Sequence, residues 1–278
     1  MKATGKMHEN GSNSVEEVSL EVTQSTRLEA SAAREGLILS AIMLISAEGI
    51  AISVSMFAGV LVEGALLLGF VTYACLTKSR QVRQSYLALS FIPLVRLLSI
   101  TMAIPRLLPY AQYALIGIPI LVPALIVNRR ESSSELQTQA GRMRFLWQIV
   151  FAGIGIPLGF AAFYVLPKQT QLFFPSSPQF TLLVWVSLTL FTSVTEEVVF
   201  RGVLLKALRP SLGFFSVVIS SLVYASMFIG TLSLPTMIFY LLLGLILGAW
   251  AQRTRSIAGP ILAHVLMNGL VLVLLFFG

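Results

Sequence analysis

From Gly36 to Thr77 the chain runs for about forty residues in which Glu48 and Glu63 are the only Asp, Glu, Lys or Arg. One helix needs about 20 apolar residues to cross the hydrocarbon core of a bilayer. The run is therefore long enough for two successive spans, dividing near Ala58 and Gly59. In hydrocarbon every backbone N–H and C=O must be satisfied within the protein, which leaves helices as the element for runs of this length. Further apolar runs follow at 84–104, 108–127, 145–166, 179–207, 214–231, 234–251 and 257–277. The expected fold is all-α, a polytopic transmembrane helix bundle of about nine spans, or eight if one run is wrongly divided. Composition agrees: 56% of the 278 residues are hydrophobic and 11% are charged, against about 25% charged in soluble domains. Little length remains for a large domain outside the membrane.

The net charge of +7 reads as membrane orientation rather than nucleic-acid binding, because the basic residues lie between the apolar runs and not on one face. Loops with Lys78, Arg80 and Arg83, with Arg129, Arg130, Arg142 and Arg144, with Lys206 and Arg209, and with Arg253 and Arg255 alternate with loops holding one basic residue or none. Strict alternation puts the N-terminus in the cytoplasm and the C-terminus outside. Residues 1–35 form a polar tail, disordered or loosely helical, with no signal-peptide pattern. The polar stretch 128–144, a cytoplasmic loop, divides an N-terminal bundle at 36–127 from a C-terminal one at 145–278. Cys75 is the single cysteine, so neither a disulfide framework nor a paired-thiolate metal site is expected.

Ionisable groups inside spans are costly, about 2.5 to 3.5 kcal/mol each on insertion scales, and each is a candidate for function. Besides His264 they are Glu48, Glu63, Arg96, Glu196, Glu197 and Arg201. Glu48 and Arg96 both fall mid-span and are expected to neutralise each other, whereas Glu63 sits nearer the outer end of its helix and is expected to meet water. The small residues Gly153, Gly155 and Gly159 should let helices approach closely. The densest group is Ser193-Val-Thr-Glu196-Glu197-Val-Val-Phe-Arg201-Gly202. Glu197 and Arg201, four apart on a helix, face one another and can pair. Glu196 points about 100° away and is left free to act as a general base.

The last span carries His264-Val-Leu-Met-Asn268, an imidazole and a carboxamide on one helix face. A lone intramembrane histidine is often only a satisfied core residue, bonded to a serine or a carbonyl. Depth favours a site instead. At about 1.5 Å per residue, Glu196 lies roughly 15 Å from the cytoplasmic end of its helix, Tyr224 roughly 15 Å and His264 roughly 10 Å from the same side. Three helices can thus bring Glu196, Tyr224, His264 and Asn268 around one cavity near the cytoplasmic leaflet.

The E-E-x-x-x-R of Glu196 to Arg201, followed by the H-x-x-x-N of His264 to Asn268, resembles the CPBP (Abi) family of intramembrane proteases, which includes the CAAX prenyl endopeptidases. The resemblance covers about residues 180–273. It implies that Glu196 activates the water that attacks a peptide bond, that Glu197 and Arg201 support it, and that His264 and Asn268 assist with water and oxyanion. Tyr224 and Phe228 would line the substrate cavity. The family's middle motif is F-x-x-x-H, whereas this chain reads Tyr224-Ala-Ser-Met-Phe228, with phenylalanine in the place of a catalytic histidine.

A zinc site normally takes three protein ligands, and with His8 in the tail, Glu196, Glu197 and His264 supply them only awkwardly. No metal is therefore expected, Glu196 and His264 being the ligands if one binds, and no other cofactor is indicated. The partners implied are membrane lipids and a protein or peptide substrate, prenylated or not, with no nucleic acid. Two alternatives to an endopeptidase stand. One is a non-catalytic relative that binds a peptide or protein partner; the other, less supported, is a transporter using Glu48 and Arg96.

Overall fold

A computed structural model describes residues 9–101, 117–122, 139–166 and 188–277, all helices and short connections, with no strand among the described residues. Helix α1 (Glu9–Ser53) turns at Val54 and Ser55 into α2 (Met56–Leu76), and Ser55 caps α2 by accepting the Ala58 N–H at 3.0 Å. The tail is thus helical from Glu9 and continuous with the first span. Helix α3 (Arg80–Thr101) contains Pro93, which removes one backbone donor from the helical ladder. A short helical piece at 117–122 is followed by α4 (Gln139–Ala152) and α5 (Gly155–Val165).

The site-bearing helix, α6, covers 188–212. Two of its stretches differ from an ordinary α-helix: Leu188–Val194 and Val198–Leu205 are π-wound, separated by one α turn at Thr195–Glu197, and Lys206–Leu212 returns to α geometry. After Gly213, whose φ of 56° suits a residue without a side chain, come α7 (Phe215–Ser226), α8 (Leu234–Thr254) and α9 (Ala258–Phe277).

Five stretches are long and apolar enough to cross a membrane: Ser31–Ser53, Met56–Leu76, Phe145–Val165, Leu234–Thr254 and Ala258–Leu275, with a shorter apolar stretch at Phe215–Thr231. Together they make an all-α polytopic bundle and an integral membrane protein. Of the other expected spans, 84–104 falls on α3, 179–207 is described from 188 and 108–127 only at 117–122; Arg106, Lys168, His8 and residues 128–138 lie outside the described residues.

Several helix ends are tied together by hydrogen bonds between elements. Gln81 at the start of α3 donates to Ser211 Oγ at 2.9 Å, Ser85 donates to the Ala207 carbonyl at 2.9 Å, and Gln252 donates to the Gly213 carbonyl at 3.0 Å. Gln148 Oε1 accepts both the Trp250 indole N–H and the Gly259 N–H at 2.9 Å, tying α4 to α8 and α9.

Small residues set how closely the site helices pack. A Cβ on Gly155 would run into the backbone carbonyl of Ala263, and one on Gly159 would sit 3.0 Å from the Met267 carbonyl. These contacts press α5 onto α9 beside His264 and Asn268. Gly244 and Gly248 do the same for α8 on α7, where Cβ atoms would meet Ser221 at 2.9 Å and Val217 at 3.1 Å. Gly153, in contrast, is exposed in the turn between α4 and α5, where a Cβ would meet only the Val150 carbonyl of its own turn.

One sequence expectation is overturned. Glu63 does not meet water: its residue exposure is 2%, and its Oε2 has no hydrogen-bond partner. The hairpin explains this. Glu48 and Glu63 lie six and eight residues from the Val54–Ser55 turn, about 9 and 12 Å down neighbouring helices, so both enter the packing between α1, α2 and α3. Arg96 joins them and pairs with Glu48 at 2.8 Å, as expected.

Candidate functional site

Glu196 and Glu197 are adjacent in sequence and sit in opposite surroundings. Glu197 is fully buried, and its Oε1 accepts from Arg201 at 3.0 Å and from His264 Nδ1 at 2.9 Å. A guanidinium has donors only, so Glu197 is paired as a carboxylate. His264 Nδ1 must then carry the proton of the second contact, which fixes the ring with Nε2 pointing away from Glu197. His264 is thus bonded to a carboxylate, not to a serine or a backbone carbonyl.

Nε2 faces Glu196, 3.8 Å from Oε2. That separation is too long for a direct hydrogen bond but within reach of one shared water. The Glu196 side chain keeps 30% exposure, against none for Glu197. Its Oε2 accepts the Tyr224 hydroxyl at 2.6 Å. The Arg201 guanidinium carbon lies 4.6 Å from the centre of the Tyr224 ring, where cation and ring face attract.

Glu196 opens onto a cavity of about 290 Å³ between α3, the 117–122 piece, α6 and α7. Thr195, Tyr224, Met227, Phe228 and Phe191 also line it. Tyr224 and Phe228 both lie on the wall of this cavity. His264 and Asn268 are absent from that wall: His264 reaches the cavity through Glu196, and the Asn268 amide donates to Ser193 Oγ at 2.8 Å. The expected convergence of Glu196, His264 and Asn268 thus forms for the first two residues, while Asn268 is held one helical turn away.

Two contributors were not singled out by sequence. Ser193 stands three residues before Glu196, a spacing that puts both on one helix side, and it anchors Asn268. Tyr240 on α8 stacks face to face with Phe228, the ring centres 3.4 Å apart and the planes 6° from parallel; nothing in the spacing of 228 and 240 announces this. Phe228 is accordingly fastened to the wall, with Tyr224 edge-on to it at 5.5 Å.

The π winding has a local partner. An i→i+5 ladder is rare and occurs mostly as short segments at functional sites, and here the Phe200 carbonyl within it accepts Ser220 Oγ of α7 at 3.0 Å. That bond seats α7, and with it Tyr224, against the helix of the two glutamates.

The donor set does not fit a zinc centre. Glu197 and the Nδ1 of His264 are committed to one another, and the described residues assemble no group of three or more His, Cys, Asp or Glu placed to hold a metal ion.

Compared with known proteins, residues 178–270 match the family described as Rce1-like, the type II CAAX prenyl endopeptidases. The matched segment contains both motifs, from Glu196 to Asn268, and the similarity covers about a third of the chain. No curated protein and no solved structure matches the chain.

Proposed function

We propose that this protein is an integral membrane endopeptidase of the CPBP or CAAX-protease type that hydrolyses a peptide bond near the cytoplasmic leaflet with a water activated by Glu196. The observation that carries the reading is the division of labour between adjacent carboxylates: Glu197 is neutralised by Arg201 and hydrogen-bonded by His264, while Glu196 stays open to a cavity. A general base has to reach the water it deprotonates, and Glu196 is the carboxylate that does. His264 Nε2 shares that water from the other side, and Glu197, itself paired with Arg201, holds the imidazole in its tautomer. Cytoplasmic placement of the N-terminus goes with this reading.

A second reading is favoured by one observation, the replacement of the motif histidine by Phe228, stacked on Tyr240. On that reading the cavity receives a peptide or protein segment without cutting it. Cleavage assays on purified protein in lipid vesicles separate the two. An internally quenched peptide with a farnesylated cysteine near its C-terminus, and the same peptide unmodified, are the probes. Cleavage by wild type that Glu196→Ala removes supports the endopeptidase, and chelator should leave it unchanged. Binding of either peptide without cleavage supports the second reading.

A further inference from the structure

A second cavity, of about 710 Å³, lies apart from the two glutamates, between α4 and the C-terminal part of α8. On α8 it is walled by Ile246, Ala249, Trp250 and Arg253, a spacing of i, i+3, i+4 and i+7 that marks one helix face. On α4 it is walled by Trp147, Gln148 and Phe151. From Ile246 to Arg253 the trough runs about 10 Å along α8, apolar at its inner end and cationic at its mouth. The mouth falls at the edge of two spans: Trp147 stands near the start of the Phe145–Val165 stretch and Arg253 next to the end of the Leu234–Thr254 stretch. Tryptophan is enriched at such membrane–water boundaries.

The walls are held by bonds of their own. The Trp250 ring stacks on Phe151, with ring centres 4.1 Å apart and planes 6° from parallel, and its indole N–H is taken by Gln148 Oε1 at 2.9 Å. Thr254 donates to the Trp250 carbonyl at 2.8 Å. Gly259 at the start of α9 leaves room for this arrangement, since a Cβ there would run into Gln148 Oε1 and sit 2.9 Å from the Trp250 indole nitrogen. Arg253 has no such partner. It is exposed, and among the described residues it makes no ion pair. No Asp or Glu occurs in residues 198–278, so the segment that carries Arg253 supplies no counter-charge.

We propose that this trough is a binding site for an anionic phospholipid, with the lipid phosphate on the Arg253 guanidinium and an acyl chain laid along Ile246, Ala249 and Phe151. Charge complementarity selects the occupant. A guanidinium presents paired N–H donors to two phosphate oxygens, and basic pockets between membrane helices take anionic headgroups. A zwitterionic lipid brings the same phosphate together with its own ammonium, which repels an unopposed arginine. The volume falls within the roughly 300 to 1,000 Å³ of ligand pockets, so the trough holds a headgroup and the upper part of one chain rather than a whole lipid. Bound there, the lipid joins α4 to α8 where Gln148 already ties both to α9.

No peptide enters the test, so it stands or falls apart from the endopeptidase reading. Full-length protein in neutral detergent is mixed with phosphatidylglycerol or phosphatidylcholine of matched chains. Retained lipid is counted by native mass spectrometry, with melting in lipid-free detergent as the check on folding. Wild type should hold phosphatidylglycerol at least about fivefold more tightly than phosphatidylcholine, which is what one basic residue contributes toward an anionic membrane surface. Arg253→Gln should remove that preference, whereas Arg255→Gln, which deletes a neighbouring exposed charge that does not line the trough, should keep it. Ala249→Phe fills the trough from an exposed position and should also remove the preference, with melting unchanged. Glycerol 3-phosphate, which has the headgroup phosphate without the chains, should not compete. Equal retention of the two lipids by wild type overturns the proposal. So does a preference that survives Arg253→Gln or Ala249→Phe in folded protein, or that Arg255→Gln lowers as much as Arg253→Gln does. Competition by glycerol 3-phosphate overturns it as well, because the ligand would then be a free phosphate ester and not a lipid.

Discussion

The bundle contains two clusters of the same ingredients, each two glutamates and an arginine in apolar helices, and they are built differently. In the front cluster Glu48 and Glu63 are 3% and 2% exposed, and Arg96 pairs with Glu48, with no histidine joining them among the described residues. In the back cluster Glu197 is equally enclosed, but Glu196 keeps an open face, and an imidazole bonded to Glu197 turns its other nitrogen toward Glu196. Charge inside a membrane is therefore a poor guide to chemistry by itself. On the proposed function, what distinguishes the reactive carboxylate is access to a cavity together with a neighbour that holds the surrounding charges fixed.

The comparison is broken most severely at Glu196. Glu196→Gln should lower cleavage by about 10³-fold, the middle of the range for a lost general base, with little change in folding, as read by peptide hydrolysis and melting in detergent. Next comes Arg201→Met. It strands Glu197 in a site with no exposure, and removing one partner of a buried pair costs about 3 to 5 kcal/mol; unfolding titrations in mixed micelles should register it, and cleavage should be lost with it.

Gly155→Ala should separate α9 from α5, costing about 1 to 3 kcal/mol as overpacking does. Because small misplacements near reacting groups cost about 10²-fold, its cleavage rate should fall more than its stability, while Gly153→Ala should leave both unchanged. Arg96→Met should destabilise by about 2 kcal/mol, less than a fully enclosed pair because Arg96 is 21% exposed. Adding Glu48→Gln should restore much of that loss, and both variants should keep cleaving. The smallest effect belongs to Glu63→Gln, which removes an enclosed carboxylate lacking a hydrogen-bond partner and should leave cleavage at the wild-type rate.

Much of the back cluster was legible because its signals are short-range. Four residues on a helix bring Glu197 to Arg201 and His264 to the level of Asn268, and depth counting brought the three helices to one height. Pairing of Glu48 with Arg96 was legible for the same reason, as two unaffordable charges at one depth. What sequence did not convey depends on contacts between helices. The π winding on either side of Thr195–Glu197 has no residue signature. Glu63 was misjudged because distance to a helix end was counted without asking which face the hairpin turns inward. Asn268 was placed with His264 by spacing, but the hydroxyl of Ser193 draws its amide to a different turn of α6. The stack of Phe228 on Tyr240 pairs residues of separate helices whose register no periodicity fixes.

The most direct test of the contrast between the clusters sets Glu196→Gln and Glu63→Gln side by side. Each replaces one carboxylate by its neutral isostere, in protein reconstituted into vesicles and offered the farnesylated and unmodified quenched peptides. The account predicts that Glu196→Gln falls to background while Glu63→Gln hydrolyses peptide at the wild-type rate. Equal loss in both, or loss in Glu63→Gln alone, would contradict it.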